Sequence, residues 1–326
     1  LPASTATEVD ELLEALEDTD GLDSATETLP SLDVPQPAGP PSNGHRPLLA
    51  NGQQPADEAD DSPDEGDPCL FPPEEPGAGD TETEPAMVVR VLGAPTIPDR
   101  PDLGRRELIL TTLLACRGGP VAASAAQDAL WGGKPVEPKT VWNVIGATRR
   151  ALGDLPDGSP VMPAADRDKG TLRVSPGVST DLAVLAGLVA RAETAPSSEA
   201  IALLRDGLEL VAGPPFDAAG YDWAHRDQDV AHASALIERA AQTLVDLALA
   251  AGLVDVARDA VMRGVRGLPG NEQLYRCRMR VEHHAGNLAG VSAAYDELVA
   301  YLADLETEPS PATTALYRDL VRPVRR

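Results

Sequence analysis

Aromatic side chains are scarce, with two Phe, five Tyr and three Trp in 326 residues. A core must then be assembled from Leu, Val, Ile and Ala, a set that suits close-packed helices. Cysteine is scarcer and odd in number: Cys69, Cys116 and Cys277 are far apart, form no CxxC pair and have no His at ligand spacing. That pattern argues against a disulfide framework and against a zinc site, and reads Cys116 and Cys277 as small packing residues in a reducing compartment. No run approaches the roughly 18 to 20 apolar residues that a membrane-spanning helix requires, and no basic-then-apolar signal segment opens the chain. The expectation is a soluble, cytoplasmic protein with no membrane span. The chain opens on Leu1 instead of Met, which reads as a processed chain or a piece of a longer protein.

Positive charge is missing from one long stretch. Residues 1–86 carry 22 acidic side chains against one basic one, Arg46, for a net charge of −21. Residues 87–180 are net +3 and residues 181–326 net −7, so the overall −25 says little about the partners of a folded body. From Ser31 to Ala86 the chain is dense in Pro, Gly, Asp and Glu, as in PQPAGPPSNG and DEADDSPDEGD, and has almost nothing to bury. A disordered acidic leader is expected over residues 1–86. Its Asp-rich run is broken by Pro63 and lacks the alternating ligands and distal Glu of a calcium loop. Val9, Leu12, Leu13 and Leu16 fall at helical spacing among acidic residues, as in a short amphipathic helix. It is either a transient helix in a solubilising tail or one that docks on a basic groove. Tethered so close to a basic domain, the leader is also expected to mask that domain's cationic face.

Residues 87–180 read as a small α+β domain. MVVRVL is a β-branched run ended by Gly93, and PTI follows as a second short strand. Leu108, Leu110, Leu113 and Leu114 suit a helix closed by Arg117-Gly118-Gly119, with Arg117 compensating the terminal dipole. A second helix is expected over 122–130 and a third over 139–152. The third has a buried stripe of Val141, Ile145, Thr148 and Leu152, and an opposite face of Lys139, Asn143, Gly146 and Arg150. VMPAADRDKGTLRV reads as two strands around a charged turn, which completes a winged helix.

Residues 181–326 read as all-helical. Asp181 is expected to cap a helix carrying Leu182, Leu185, Leu188 and Val189, and a second helix runs from Ser197 through Leu208. A long helix is expected over 223–250. Ala251-Gly252 recurs as Ala285-Gly286 and Ala260 as Ala294, each 34 residues on, the period of tetratricopeptide-like helix pairs. His225 and His232, seven apart on one expected helix face, and His283 and His284 sit in no recognised metal pattern. No GxSxG, phosphate-cradling loop or paired-carboxylate signature occurs, so neither an enzyme nor a cofactor is expected.

Taken together, GRRELILTTLLA, GGPVAASAAQDALWGG and PKTVWNVIGATRRALG resemble the response-regulator-type winged helix of the actinobacterial antibiotic regulatory proteins. The likeness covers about residues 88–322, and ALWGG, TRRALG and EPSPATTALYRDL are its most specific pieces. GLELVAGPPFDAAGYDWAHRDQDVAHASALIERAAQTLVDLALAAG is similar to the central stretch of that family's transcriptional activation domain. The resemblance implies a third helix in the major groove of double-stranded DNA and a wing on the backbone. Lys139, Asn143, Arg149 and Arg150 on the helix and Arg167, Lys169 and Arg173 on the wing would then be the DNA-binding residues. It also implies a protein partner for the repeats, such as RNA polymerase or a second copy. The sequence departs from the family pattern at Gly146 and Ala147, which are too short to read a base edge, at Thr148 in an aliphatic core position and at Thr171 in place of a wing Tyr. The alternative reading is a protein-interaction or signalling module, such as the cytoplasmic end of a larger membrane-linked protein, whose winged helix no longer binds DNA.

Overall fold

The computed structural model describes residues 85–166 and 169–322. The leader with its helical spacing at 9–16, Cys69 and the wing residue Arg167 lie outside the described residues. Strand β1 (Met87–Val89) pairs in parallel with β4 (Val178–Thr180), and Arg90 then bridges Thr96 across a tight turn. Helix α1 (Arg105–Arg117) ends where Gly118, at φ +61°, donates its N–H to the Leu114 carbonyl, a left-handed stop that favours glycine. Next come β2 (Val121–Ala122), α2 (Ala123–Trp131) and α3 (Pro138–Leu152), with Pro138 at the start of α3 where its missing N–H costs nothing. The buried residues of α3 are Val141, Ile145, Thr148 and Leu152, the stripe read from periodicity.

The expected hairpin is only partly formed. Strand β3 (Thr171–Leu172) pairs antiparallel with β2, not with the segment before it, to which one bridge, Asp166 to Thr171, connects it. The reason lies in Val161 and Met162, which are consecutive and both buried, whereas a half-buried strand turns alternate side chains outward. Pro163 after them has no N–H to give a ladder.

Beyond Thr180 the chain is helical: α4 (Asp181–Thr194) and α5 (Ser197–Glu209) form one antiparallel pair. Asp181 does not cap α4. Thr180 does, its hydroxyl accepting the Ala183 N–H at 3.0 Å, while the Asp181 carboxylate turns into the core and accepts N–H groups of Val91 (2.7 Å) and Leu92 (3.2 Å). Those amides lie just past β1, where the backbone would otherwise be buried without acceptors. The expected long helix at 223–250 is in fact two, α6 (Asp222–Arg226) and α7 (Asp229–Ala250), broken at Gln228 with φ +68°. The helix pairs α7 with α8 (Val254–Gly267) and α9 (Glu272–His284) with α10 (Leu288–Asp304) follow, and α11 (Pro311–Val321) closes the series.

The 34-residue repeat is structural. Gly252 and Gly286 both turn at positive φ, and each turn is tied by an equivalent bond, Leu253 N–H to the Ala248 carbonyl and Asn287 N–H to that of Glu282, both 2.8 Å. Ala260 and Ala294 are fully buried, small enough to let the helices approach. The chain is mainly α-helical, a small winged-helix part followed by tetratricopeptide-like helix pairs.

The described residues belong to one compact unit, and a single core runs from Met87 to Leu302. A small satellite of Met279, Val291 and Ala294 sits under α11, where Tyr295 and Tyr317 stack 4.2 Å apart. The two parts of the unit share backbone hydrogen bonds: the Val91 carbonyl accepts the Phe216 N–H (2.9 Å) and the Leu92 carbonyl that of Ala212 (2.8 Å). Three of the few aromatics, Phe216, Tyr221 and Trp223, cluster at this seam with ring centroids 5.9–6.2 Å apart.

Candidate nucleic-acid interface

Helix α3 has two faces with different jobs. Its buried stripe packs on α1, and Thr148, where an aliphatic residue was expected, buries its hydroxyl by donating to the Val144 carbonyl one turn back (2.9 Å). The far face carries the sequence candidates. Lys139, Asn143, Arg149 and Arg150 are all exposed. The side chains of Lys139, Asn143 and Arg149 have no hydrogen bond or ion pair among the described residues, while Arg150 donates its Nε–H to the Gly146 carbonyl (3.1 Å). Gly146 and Ala147, between these groups, leave the middle of the face shallow.

The wing turn sits at the other end of the β2–β3 pair. The Gly170 carbonyl accepts the Ala123 N–H (2.8 Å), so the turn is tied to the start of α2. Lys169 is exposed, with its Nζ 3.8 Å from Asp166, and Arg173 is exposed with no partner among the described residues. The two described wing candidates thus reach solvent on either side of β3, Lys169 from the anchored turn and Arg173 just past the strand.

No group of three or more His, Cys, Asp or Glu able to hold a metal occurs among the described residues. His225 and His232, expected on one helix face, are on α6 and α7, separated by the Gln228 break. Burial pushes the Cys116 thiol up to about 12 and raises that of Cys277, so neither is a thiolate at neutral pH. No helix among the described residues is long and apolar enough to cross a membrane.

Paired helices offset by 34 residues, closed by α11 and opened by Thr180 at the end of β4, delimit the second part of the chain. Residues 180–321 match the family model of the bacterial transcriptional activator domain. The resemblance to the actinobacterial antibiotic regulatory proteins holds on this domain. Among solved structures, Mycobacterium tuberculosis EmbR in complex with a low affinity phosphopeptide is similar over 73% of this chain at 23% identity, with a TM-score of 0.49. The alignment spans 65% of that chain, less than two thirds of its length. No curated protein sequence matches the chain.

The activator domain grips the winged helix at both ends of α1. At the C-terminal end, Arg117 reaches Asp227 (2.6 Å) and Asp229 (3.0 Å) on either side of the Gln228 break, and its guanidinium lies 5.4 Å from the Trp223 ring centroid. Burial opposes the charge, but hydrogen bonds and attraction to the two aspartates outweigh it and hold the Arg117 pKa above its usual value. Sequence alone assigned Arg117 to its own helix dipole; its partners lie more than 100 residues away. At the N-terminal end, Arg105 and Arg106 of α1, Thr140, Asn143 and Ala147 of α3, and Gly220 of the activator domain line a cleft of about 710 Å³. The Arg-Arg pair at the start of α1, outside the apolar stripe, was the available signal for that cleft.

Proposed function

We propose that the chain is a non-enzymatic transcriptional regulator whose winged helix, residues 87–180, binds duplex DNA and whose activator domain contacts a protein partner, RNA polymerase or a second copy. One observation carries the reading: a helix of response-regulator type buries one stripe and presents Lys139, Asn143, Arg149 and Arg150 to solvent, beside a wing presenting Lys169 and Arg173. Cations on such a face position the protein on phosphates, and Asn143 is the side chain of a type that reads adenine edges. The exposed large apolar residues, among the described ones, all lie in the activator domain, at Leu253, Met262, Leu288, Val299, Tyr301 and Leu305, which supports contact with a protein there. Four phosphate contacts, through Arg149, Arg150, Lys169 and Arg173, contribute about −4 to the slope of log affinity against log salt. Replacing Arg149 and Arg150 by Ala should flatten it by up to about 2, measured by fluorescence anisotropy on the full chain.

A second reading is favoured by Gly146 and Ala147, whose short side chains leave no base-reading group at mid-helix. On it the winged helix is a platform for the activator domain and the chain is an interaction module. It takes over if the chain shows no salt-dependent binding to any duplex, including fragments adjoining its own gene, both whole and with the acidic residues 1–86 removed.

A further inference from the structure

The cleft beside α3 has a composition that the sequence candidates do not explain. Thr140, Asn143 and Ala147 are spaced three and four residues apart and line one flank of α3, and facing them are Arg105 and Arg106, both exposed. Neither arginine has a carboxylate within ion-pair distance among the described residues, although Glu107 lines the same cleft. The Glu107 carboxylate is folded back over Gly104, where it would collide with any Cβ at that position. Arg106 is held in place by Trp131, its guanidinium carbon 5.6 Å from the ring centroid. Arg105 lies against the other domain: a Cβ on Gly220 would stand 3.1 Å from Arg105 Nη2 and 2.8 Å from Ile109 Cδ1, and Gly220 has φ +94°, where other residues are strained. Two positioned, uncompensated cations thus border the flank of the helix proposed to enter DNA.

A helix lying in a major groove about 12 Å wide has a phosphate backbone along each side. A duplex seated on Asn143 therefore brings one strand's phosphates over the open cleft, whose short lining residues Thr140 and Ala147 leave room for them. Resting on the duplex reading above, we propose that Arg105 and Arg106 form a phosphate track continuous with α3, and that the activator domain takes part in DNA binding through Gly220, which positions Arg105. The partner is the sugar-phosphate backbone of duplex DNA, so these contacts add affinity without sequence preference. The activator domain thereby becomes a structural requirement for full DNA affinity as well as a protein-contact module.

The test uses the full chain and a labelled mixed-sequence duplex of about 30 base pairs, because phosphate contacts need no operator. Arg105→Ala with Arg106→Ala should flatten the salt slope by about 2, and the two Lys substitutions should restore it. Both side chains are exposed, so the melting temperature should stay unchanged; were the Ala pair to misfold, the Lys pair against Arg105→Gln with Arg106→Gln provides the same comparison. Gly220→Ala, which also presses on Ile109 and strains a φ of +94°, should weaken binding more in the wild-type background than in the Arg105→Ala background, the difference being the part that acts through that side chain. A wild-type slope that survives intact in the Ala pair overturns the phosphate track while leaving α3 as the DNA contact. An equal loss from Gly220→Ala in both backgrounds overturns the positioning role. No salt-dependent binding by the wild-type chain, whole or with the acidic residues 1–86 removed, overturns the duplex reading itself, and the track with it.

Discussion

At the scale of single residues, the least expected side chain is Asp181. Burial pushes its carboxyl up to about 6, against the pull of backbone N–H groups of Val91, Leu92 and Leu182 and the charge of Arg90. An acid whose folded pKa lies above its unfolded value of about 3.9 binds its proton more tightly when folded. Its contribution to stability is thus full below about pH 4 and is lost as pH rises through 6. Glu272 and Glu282 run the other way, since hydrogen bonds from Ser310 and Thr313 and from Arg258 hold them low, so the whole protein masks the effect. Comparison with Asp181→Asn isolates it. The stability of wild type relative to the variant should be greater at pH 4.5 than at pH 7.5 by on the order of 2 kcal/mol, and urea titrations at the two values would show it. Packing is more legible. Helical phase places Leu204 in the core, where it is 1% exposed, and Leu204→Ala should cost about 2–5 kcal/mol by chemical denaturation. Periodicity also points to Leu247, but the core position on that turn of α7 is Leu244, with Leu247 half-buried on its flank. Leu247→Ala should cost clearly less than Leu204→Ala.

At the scale of elements, glycine stops were readable because they are local: Gly118, Gly252 and Gly286 end helices or turn between them through their own backbone freedom, whereas the cap of α4 falls on Thr180, one residue before the Asp181 that the sequence suggested. Elements decided by distant groups were not readable. Residues 223–250 have continuous helical periodicity, and nothing near Gln228 demands a break. The break occurs where Arg117 takes Asp227 and Asp229 on either side of it, an ion-paired clasp made by a helix more than 100 residues earlier. Gln228 bears the local cost at φ +68°. Gln228→Gly should therefore stabilise the fold by about 0.5–1 kcal/mol, the left-handed strain relieved less the added entropy of the unfolded chain. A neutral or destabilising result in thermal melts would show that the side chain itself supports the bend. The hairpin has the same lesson, since β3 chose β2 as its partner because Val161 and Met162 are both drawn inward.

At the scale of the whole molecule, the winged helix and the activator domain share one core and a seam of backbone bonds at Val91 and Leu92. They should unfold together. Trp131 and Trp142 report the first part and Trp223 the second, so single-Trp variants should give coincident denaturation midpoints, and a separation of the two transitions would show the parts to be independently stable. The sequence by itself determined the features that depend on neighbours along the chain: the aliphatic helical composition, the buried stripe of α3, the 34-residue repeat, and a set of exposed cations at Lys139, Arg149 and Arg150 whose exposure follows from helical phase. Only the tertiary structure decided which distant groups meet: Asp181 with the amides beyond β1, Arg117 with the bend in the activator domain, and Gly220 with Arg105 at the edge of α3. The physical reason is that periodicity encodes which face of an element is buried, whereas the partner of a buried charge or an open backbone amide is set by packing between segments that share no sequence pattern.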